Sequence, residues 1–314
     1  MSGYVFVLTP IEPEVETPFQ VIPKHFLQRA ADDQIAKIKA LLQRFNTNPM
    51  FVPLYELDIV ELPSDKPGNR RWEHTRLPPE KWRYWIIHFE GNNSEIQGLE
   101  YALSLMEQDI ELGFFVMSME GLTGDGYGWH FHYVPAYFND DDRQPRTAKR
   151  ITGVDLQLAG ECCSELKSLP KQYAHIRRAF QRFATLRAVP KSSELTVIGL
   201  FSVIESLLTH APKANDPTDS LIRQISHKIP LVRKRFRRAL DHNSVFGGLN
   251  EDSLWKKLYE YRSKVVHGED AKLSGNLQAL KDQKTVADFL REIVKLLLIQ
   301  SLDEPLLVTD LKEC

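Results

Sequence analysis

The sequence has few cysteines, no long apolar run and almost no net charge, and each shortage removes a class of protein. Only three cysteines occur in 314 residues: Cys162 and Cys163 side by side, and Cys314 as the last residue. They offer no disulfide framework and fit a reducing compartment, so a cytoplasmic location is expected. No stretch approaches the roughly 18 consecutive apolar residues of a membrane-spanning helix. The opening MSGYVFVLTPIEPEVE also lacks a basic flank before its short apolar run. A soluble, unprocessed chain with no membrane partner is the expectation. Low-complexity tracts and internal repeats are absent as well. What remains is ordinary globular composition, 42% hydrophobic and 26% charged, enough for two cores of domain size.

The formal net charge of −2 hides an asymmetry. Residues 1–170 hold 16 Lys and Arg against 25 Asp and Glu, whereas residues 171–314 hold 24 against 17. Most of the basic excess lies in residues 171–242, with 14 basic and 5 acidic side chains. An acidic part joined to a basic part suggests two modules with different partners, the basic one suited to a polyanion such as nucleic acid.

Periodicity separates the same two parts. In the first, Tyr4 to Leu8, the WRYWIIHF segment ending at Phe89, and Leu112 to Met119 read as strands. Lys24 to Phe45 reads as a helix through Phe26, Ala30, Ile35, Ile38, Leu41, Leu42 and Phe45, and Ser94 to Gln108 as a second helix. A further strand is expected over Trp129 to Val134, entered through a Gly-rich turn at Gly121 to Gly128. This gives an α+β domain over residues 1–150. The polar, proline-interrupted stretch from Pro135 to Arg150 marks the boundary. Residues 151–314 then read as helix throughout, over Asp155–Ser168, Gln172–Ala188, Ser192–Thr209, Pro217–Ala239, Glu251–His267 and Val286–Ser301. Their prolines fall between segments or at first-turn positions. An all-α bundle is expected.

The most informative segment is LWKKLYEYRSKVVHGED, residues 254–270. Leu254, Leu258, Tyr261 and Val265 form an apolar stripe, and Gly268 is suited to end the helix with His267 in its last turn. Arg262 and His267 lie about 140° apart around a helix and about 7.5 Å along it, so they do not stack as an i, i+4 pair would. A site using both has to be completed from another surface.

Arg262-Ser-Lys-Val-Val-His267 resembles the RxxxxH signature of the HEPN superfamily (higher eukaryotes and prokaryotes nucleotide-binding), in the LYxxRSKxVHG form of its ApeA-like branch. The helix ELTVIGLFSVIESLL, residues 194–208, is similar to that branch's acidic helix, with Glu205 at the matching position, and SLIRQISHKIPLV, residues 220–232, to the helix that follows. The resemblance spans about Gln172 to Ser301 and leaves the first 150 residues unassigned. It implies a HEPN-type bundle that dimerises with both motifs facing one cleft and acts as a metal-independent endoribonuclease, with no cofactor. In that reading His267 is the acid/base group, Arg262 clamps phosphate, Glu205 orients Arg262, and Ser263 fills a position commonly Asn or Asp in active members. Products would carry 2′,3′-cyclic phosphate ends. The family also implies a toxin-like effector in antiviral defence, with the N-terminal domain as sensor or regulator of an unknown trigger. The alternative is a noncatalytic HEPN module for dimerisation and RNA or nucleotide binding. Read without the family, His267 is a dipole-compensating helix end and Glu205–Arg262 a structural ion pair.

Other features carry paired readings. Arg233, Lys234, Arg235, Arg237 and Arg238, with Lys264 beside the motif, either grip RNA phosphates or, for the run, line a solvated helix face. His130 and His132 alternate on the expected strand, with Asp140, Asp141 and Asp142 following; they are read as an exposed strand face, and less readily as metal ligands. The GLTGDGYG turn lacks the lysine of a phosphate-binding loop. Cys162-Cys163 is read as helix packing, and Trp82, Tyr84, Trp85 and Phe89 as core strand with some rings open to a ligand.

Overall fold

A computed structural model of the chain describes residues 2–45, 54–62, 71–91, 94–118, 125–127, 134, 137–138, 147–212 and 219–314. Two compact units emerge, residues 1–163 and 164–314, the division falling inside one helix. The first is α+β and the second mostly helical.

The first unit runs β1 (Ser2–Val7), β2 (Ile11–Pro13), β3 (Phe19–Ile22), β4 (His25–Arg29), α1 (Asp32–Phe45), β5 (Leu57–Leu62), β6 (Arg71–Arg76), β7 (Trp85–Glu90), α2 (Ile96–Leu103), β8 (Leu112–Ser118), β9 (Asp125–Tyr127), β10 (Lys149–Ile151) and the start of α3 (Gly153–Ser168). Among the described residues the main sheet is antiparallel, in the order β3-β4-β7-β1-β8-β9. β2 and β10 pair in parallel, and β5 and β6 antiparallel.

Strand alternation explains the core. Tyr4, Phe6, Ile86, Phe114 and Val116 cluster with Ile38, Leu41 and Leu42 of α1. Phe6 meets the Tyr55 ring edge-on at 5.0 Å, and the Tyr55 hydroxyl donates to the Leu8 carbonyl at 2.7 Å. The intervening Val5, Val7, Ile87, Phe89 and Phe115 are buried too. The central strands are therefore apolar on both faces, which is why they appear in the sequence as continuous runs. Tyr84, Trp85 and Phe89 all lie in the core. Buried Arg83 is matched by Glu12, by Asp58 at 2.9 Å and by the Leu57 carbonyl at 2.7 Å, the compensation an enclosed cation needs.

The helix expected from Lys24 begins only at Asp32. Residues 25–29 form β4, joined to β3 by a two-residue turn in which Ile22 pairs with His25 and Lys24 takes a φ of 65°. Phe26 and Ala30 fit a helical stripe by coincidence, while the burial of His25 and Leu27 follows the period of a strand. At α3 the helix starts before Asp155, because Thr152 and Asp155 form a reciprocal capping box, with Thr152 N–H donating to the Asp155 carboxylate at 3.0 Å. Cys162 and Cys163 are free and buried on this helix. Asp125–Tyr127, expected within a turn, is a strand paired with β8. His130, His132, Asp140, Asp141, Asp142 and, apart from Val134, the strand expected over 129–134 lie outside the described residues.

The second unit contains the end of α3, then α4 (Ala174–Thr185), α5 (Glu194–Leu208), α6 (Leu221–Arg233), α7 (His242–Phe246), α8 (Glu251–Val266), α9 (Gln283–Asp303) and α10 (Pro305–Glu313). α5 lies at the centre, packed by α4, α6, α8, α9 and α10. Ser193, Asn250 and Asp282 cap α5, α8 and α9, each side chain accepting a backbone N–H of the first turn. The segment expected as helix to Ala239 stops at Arg233, and the arginines beyond it turn toward carboxylates of other elements. The short α7 and the terminal α10 were not expected; Pro305 opens α10 at a position where its missing N–H is tolerated. No helix among the described residues is long and apolar enough to cross a membrane.

Gly160 on α3 lets the helix lie against β3, since a Cβ there would overlap the Val21 carbonyl oxygen. Gly160→Ala is therefore expected to destabilise the first unit by about 1–3 kcal/mol. A urea titration followed by a probe in that unit should show a lower midpoint with an unchanged slope.

Candidate functional site

The site begins with how α8 ends. Leu254, Trp255, Leu258 and Tyr261 are buried, and Val265 is partly so. At the C-terminus Gly268 takes a φ of 69°, Gly268 N–H donates to the Val265 carbonyl at 3.2 Å, and Glu269 N–H donates to the Lys264 carbonyl at 2.9 Å. These two bonds make a Schellman motif with His267 as the cap residue. His267 has dihedrals of −84° and 2°, and its N–H donates to the Ser263 carbonyl at 3.0 Å. Its side chain is exposed and has no hydrogen-bond partner among the described residues.

One and a half turns earlier, Arg262 meets Glu205 of α5. Arg262 Nη2 lies 3.2 Å from Glu205 Oε1 and donates to Oε2 at 3.4 Å. The side chains are 21% and 18% exposed. The guanidinium also lies over the Tyr259 ring at 5.4 Å, and Tyr259 packs edge-on against Phe201 of α5 at 5.9 Å. Burial pushes the Glu205 carboxyl above its ordinary range, with Arg262 pulling the other way and only partly offsetting it. Arg262 Nε is buried and has no hydrogen-bond partner among the described residues, so the donors open to another anion are those of Nη1 and the second hydrogen of Nη2.

The structure thus brings Glu205 and Arg262 together, 57 positions apart in sequence. Ser263 follows directly, partly buried, and Lys264 pairs with Glu260 one turn back at 3.3 Å. The basic run is arranged differently from an open cationic face. Arg233 contacts Glu251 at 3.2 Å and His242 at 3.0 Å, Arg235 pairs with Glu304 at 3.1 Å, Arg237 binds Asp303 through two nitrogens, and Arg238 pairs with Glu292. Lys234 alone of the five is exposed without a partner among the described residues.

A second group of cations escaped the sequence reading. His175, Arg178 and Arg182 of α4 follow i, i+3, i+7, so they share one face of that helix. With His210 and Lys312 of α10 they line a cavity of about 390 Å³ that also includes Glu205. The spacing on α4 was a visible signal; the approach of Lys312 from 130 positions away was not. Among the described residues no cluster of His, Cys, Asp and Glu is arranged to hold a metal ion.

Comparisons of the chain with protein-family models, with characterised proteins and with solved structures found no match.

The glycine cap and the buried acid each predict a measurable effect. Gly268→Ala should cost about 1–2 kcal/mol, since a Cβ there meets nothing and only the left-handed backbone is penalised. Gly268→Asn should recover part of that in a thermal melt. For Glu205, a folded-state pKa above the ordinary 4.5 means that the folded chain binds the extra proton. Its favourable contribution is complete below the unfolded value and is lost as pH rises through the folded one. The stability of Glu205→Gln relative to the parent should therefore increase as pH rises above 4.5 and level off once Glu205 is ionised, as measured by denaturation at a series of pH values.

Proposed function

We propose that the second unit is a HEPN-type bundle that dimerises and cleaves RNA without a metal ion. The observation that carries this reading is the Glu205–Arg262 pair together with an exposed His267 at the capped end of the helix that carries Arg262. RNA supplies its own nucleophile, the 2′-hydroxyl. The protein then needs a group that exchanges protons near neutral pH and a cation for the charge developing on phosphorus. His267 takes the proton from the 2′-oxygen, or returns one to the departing 5′-oxygen. Arg262 holds the phosphoryl oxygens through donors left free by Glu205, which positions the guanidinium. Bond formation from the 2′-oxygen to phosphorus and cleavage to the 5′-oxygen leave a 2′,3′-cyclic phosphate and a 5′-hydroxyl.

A second copy of the chain would bring its own His267 and Arg262 to the cleft, meeting the need for a second surface that the spacing along α8 creates. Lys234 and Lys264 contribute positive charge for the RNA backbone, whereas Arg233, Arg235, Arg237 and Arg238 act chiefly within the fold through their carboxylate partners. The first unit serves as the regulatory module, and the resemblance extends the role to a toxin-like effector in antiviral defence.

Incubation of the purified full-length chain with total RNA and tRNA tests the reading. Arg262→Ala and His267→Ala should each lower cleavage at least about 100-fold while the fold is retained. The products should carry cyclic phosphate, and a chelator should have no effect. Undiminished cleavage in both variants, or loss of activity on chelation, would overturn the mechanism. Salt-sensitive RNA binding with no cleavage would favour the noncatalytic module instead.

A further inference from the structure

The cavity between α4, the C-terminal end of α5 and α10 gathers more cations than acids. Arg178 and Arg182 are exposed and have no hydrogen-bond or ion-pair partner among the described residues. Lys312 is partly buried and anchored, its Nζ donating to the Ser206 carbonyl at 2.6 Å. Lys228 stands behind it, donating to the Leu208 carbonyl at 2.9 Å. Two of the acids nearby are already engaged, Glu205 with Arg262, and Asp219 with His210 at 3.1 Å and Gln224 at 2.8 Å, and Glu313 offsets the cations only in part. Burial, then the neighbouring cations Arg178 and Arg182, push the Lys312 ammonium below its ordinary range, with Glu313 pulling the other way and not cancelling them. Burial, then Lys312 and Arg178, do the same to His175. Mutual repulsion of this kind is relieved by a bound anion.

Shape and chemistry narrow the anion. About 390 Å³ is room for a small molecule and lies within the usual range of ligand pockets. Pro212 and Leu221 add apolar surface to the lining. Two arginines one helical turn apart present adjacent planar forks, which suit the oxygens of a phosphoryl group better than a single carboxylate.

We propose that this cavity binds a small phosphate monoester, its phosphoryl group held by Arg178, Arg182 and Lys312 and its organic part against Pro212 and Leu221. The nuclease reading uses none of these three cations, although Glu205 lines this cavity as well as pairing with Arg262.

Calorimetric titration of the full-length chain with phenyl phosphate, inorganic phosphate, phenol and a short RNA oligonucleotide tests it. Phenyl phosphate should bind, with phenol at least about tenfold weaker. The double variant Arg178→Ala/Arg182→Ala should lose at least about tenfold in affinity for phenyl phosphate with an unchanged melting temperature, because neither arginine supports the fold. Arg178→Lys/Arg182→Lys should fall between, keeping charge but losing the forks. The proposal is overturned if phenol binds as well as its phosphate, or if the alanine double variant binds like the parent. It is equally overturned if phenyl phosphate fails to bind at about 10 mM while the oligonucleotide binds and depends on the two arginines, since the cavity would then belong to an RNA path.

Discussion

The second unit depends on the burial of α5. Thr196, Val197, Leu200, Phe201, Val203, Ile204, Leu207 and Leu208 fall within about 160° of arc around this helix, and all are enclosed. An apolar face that wide is more than one neighbour can cover, and α4, α6, α8, α9 and α10 all pack on the helix. Glu205 lies at the edge of that face, one turn from the end, and its carboxyl group is largely enclosed as a result. A cation is then needed nearby, and α8 supplies it. Phe201 and Glu205 stand i, i+4 on α5, while Trp255, Tyr259 and Arg262 stand i, i+4, i+7 on α8, so each set shares a face. Phe201 packs edge-on with both Trp255 and Tyr259, and such ring pairs contribute about 0.5–1.5 kcal/mol each beyond the area they bury. The rings fix the register of the two helices, and the meeting of Glu205 with Arg262 follows from it.

The distribution of charge is also a matter of pairing rather than counting. Residues 171–242 carry the basic excess of the chain, and its densest part, 233–238, first suggests a surface for polyanions. Arg235, Arg237 and Arg238 instead fasten the segment after α6 to Glu304, Asp303 and Glu292 at the far end of the unit's sequence. These partly exposed pairs each contribute little to stability, but together they hold a non-helical stretch in one place. Among the described residues of this segment, unpaired positive charge remains instead on Lys171, Arg223 and Lys234 and on the α4 face that carries Arg178 and Arg182. Composition measures how many cations a segment has, and only the fold decides which of them remain free.

The same distinction explains what could be read in advance. β1, β7 and β8 were legible because strands buried on both faces leave dense apolar runs, and α5 and α8 because their patterns are long. The β3–β4 hairpin was not legible. Phe26 and Ala30 merge with the stripe of the following helix and mask the strand period of His25 and Leu27, and the turn rests on the φ of a lysine that no sequence rule marks. At the site, the end of α8 was readable because a glycine cap is a local device, made by bonds within five residues. The pairing of Glu205 with Arg262 was suggested only by family resemblance, since it spans two helices. Lys312 joined the α4 cations through a helix that periodicity had not revealed.

The geometry of the Glu205–Arg262 contact bears on what Arg262 can do. One guanidinium nitrogen, Nη2, faces both carboxylate oxygens at 3.2 and 3.4 Å, in place of two parallel short bonds between fork and carboxylate. A bidentate pair in a buried setting would hold the arginine more tightly but would also consume the donors through which it could meet another anion. Here burial outweighs the neighbouring cation in setting the state of Glu205, so the acid is itself only partly satisfied, and the Nε of Arg262 stays unbonded. Tyr259 supplies the rest of the hold through its ring face, which restrains the plane of the guanidinium without occupying a donor. An acid on one side and an aromatic face on the other orient the cation while leaving most of its hydrogen-bonding capacity for a second anion.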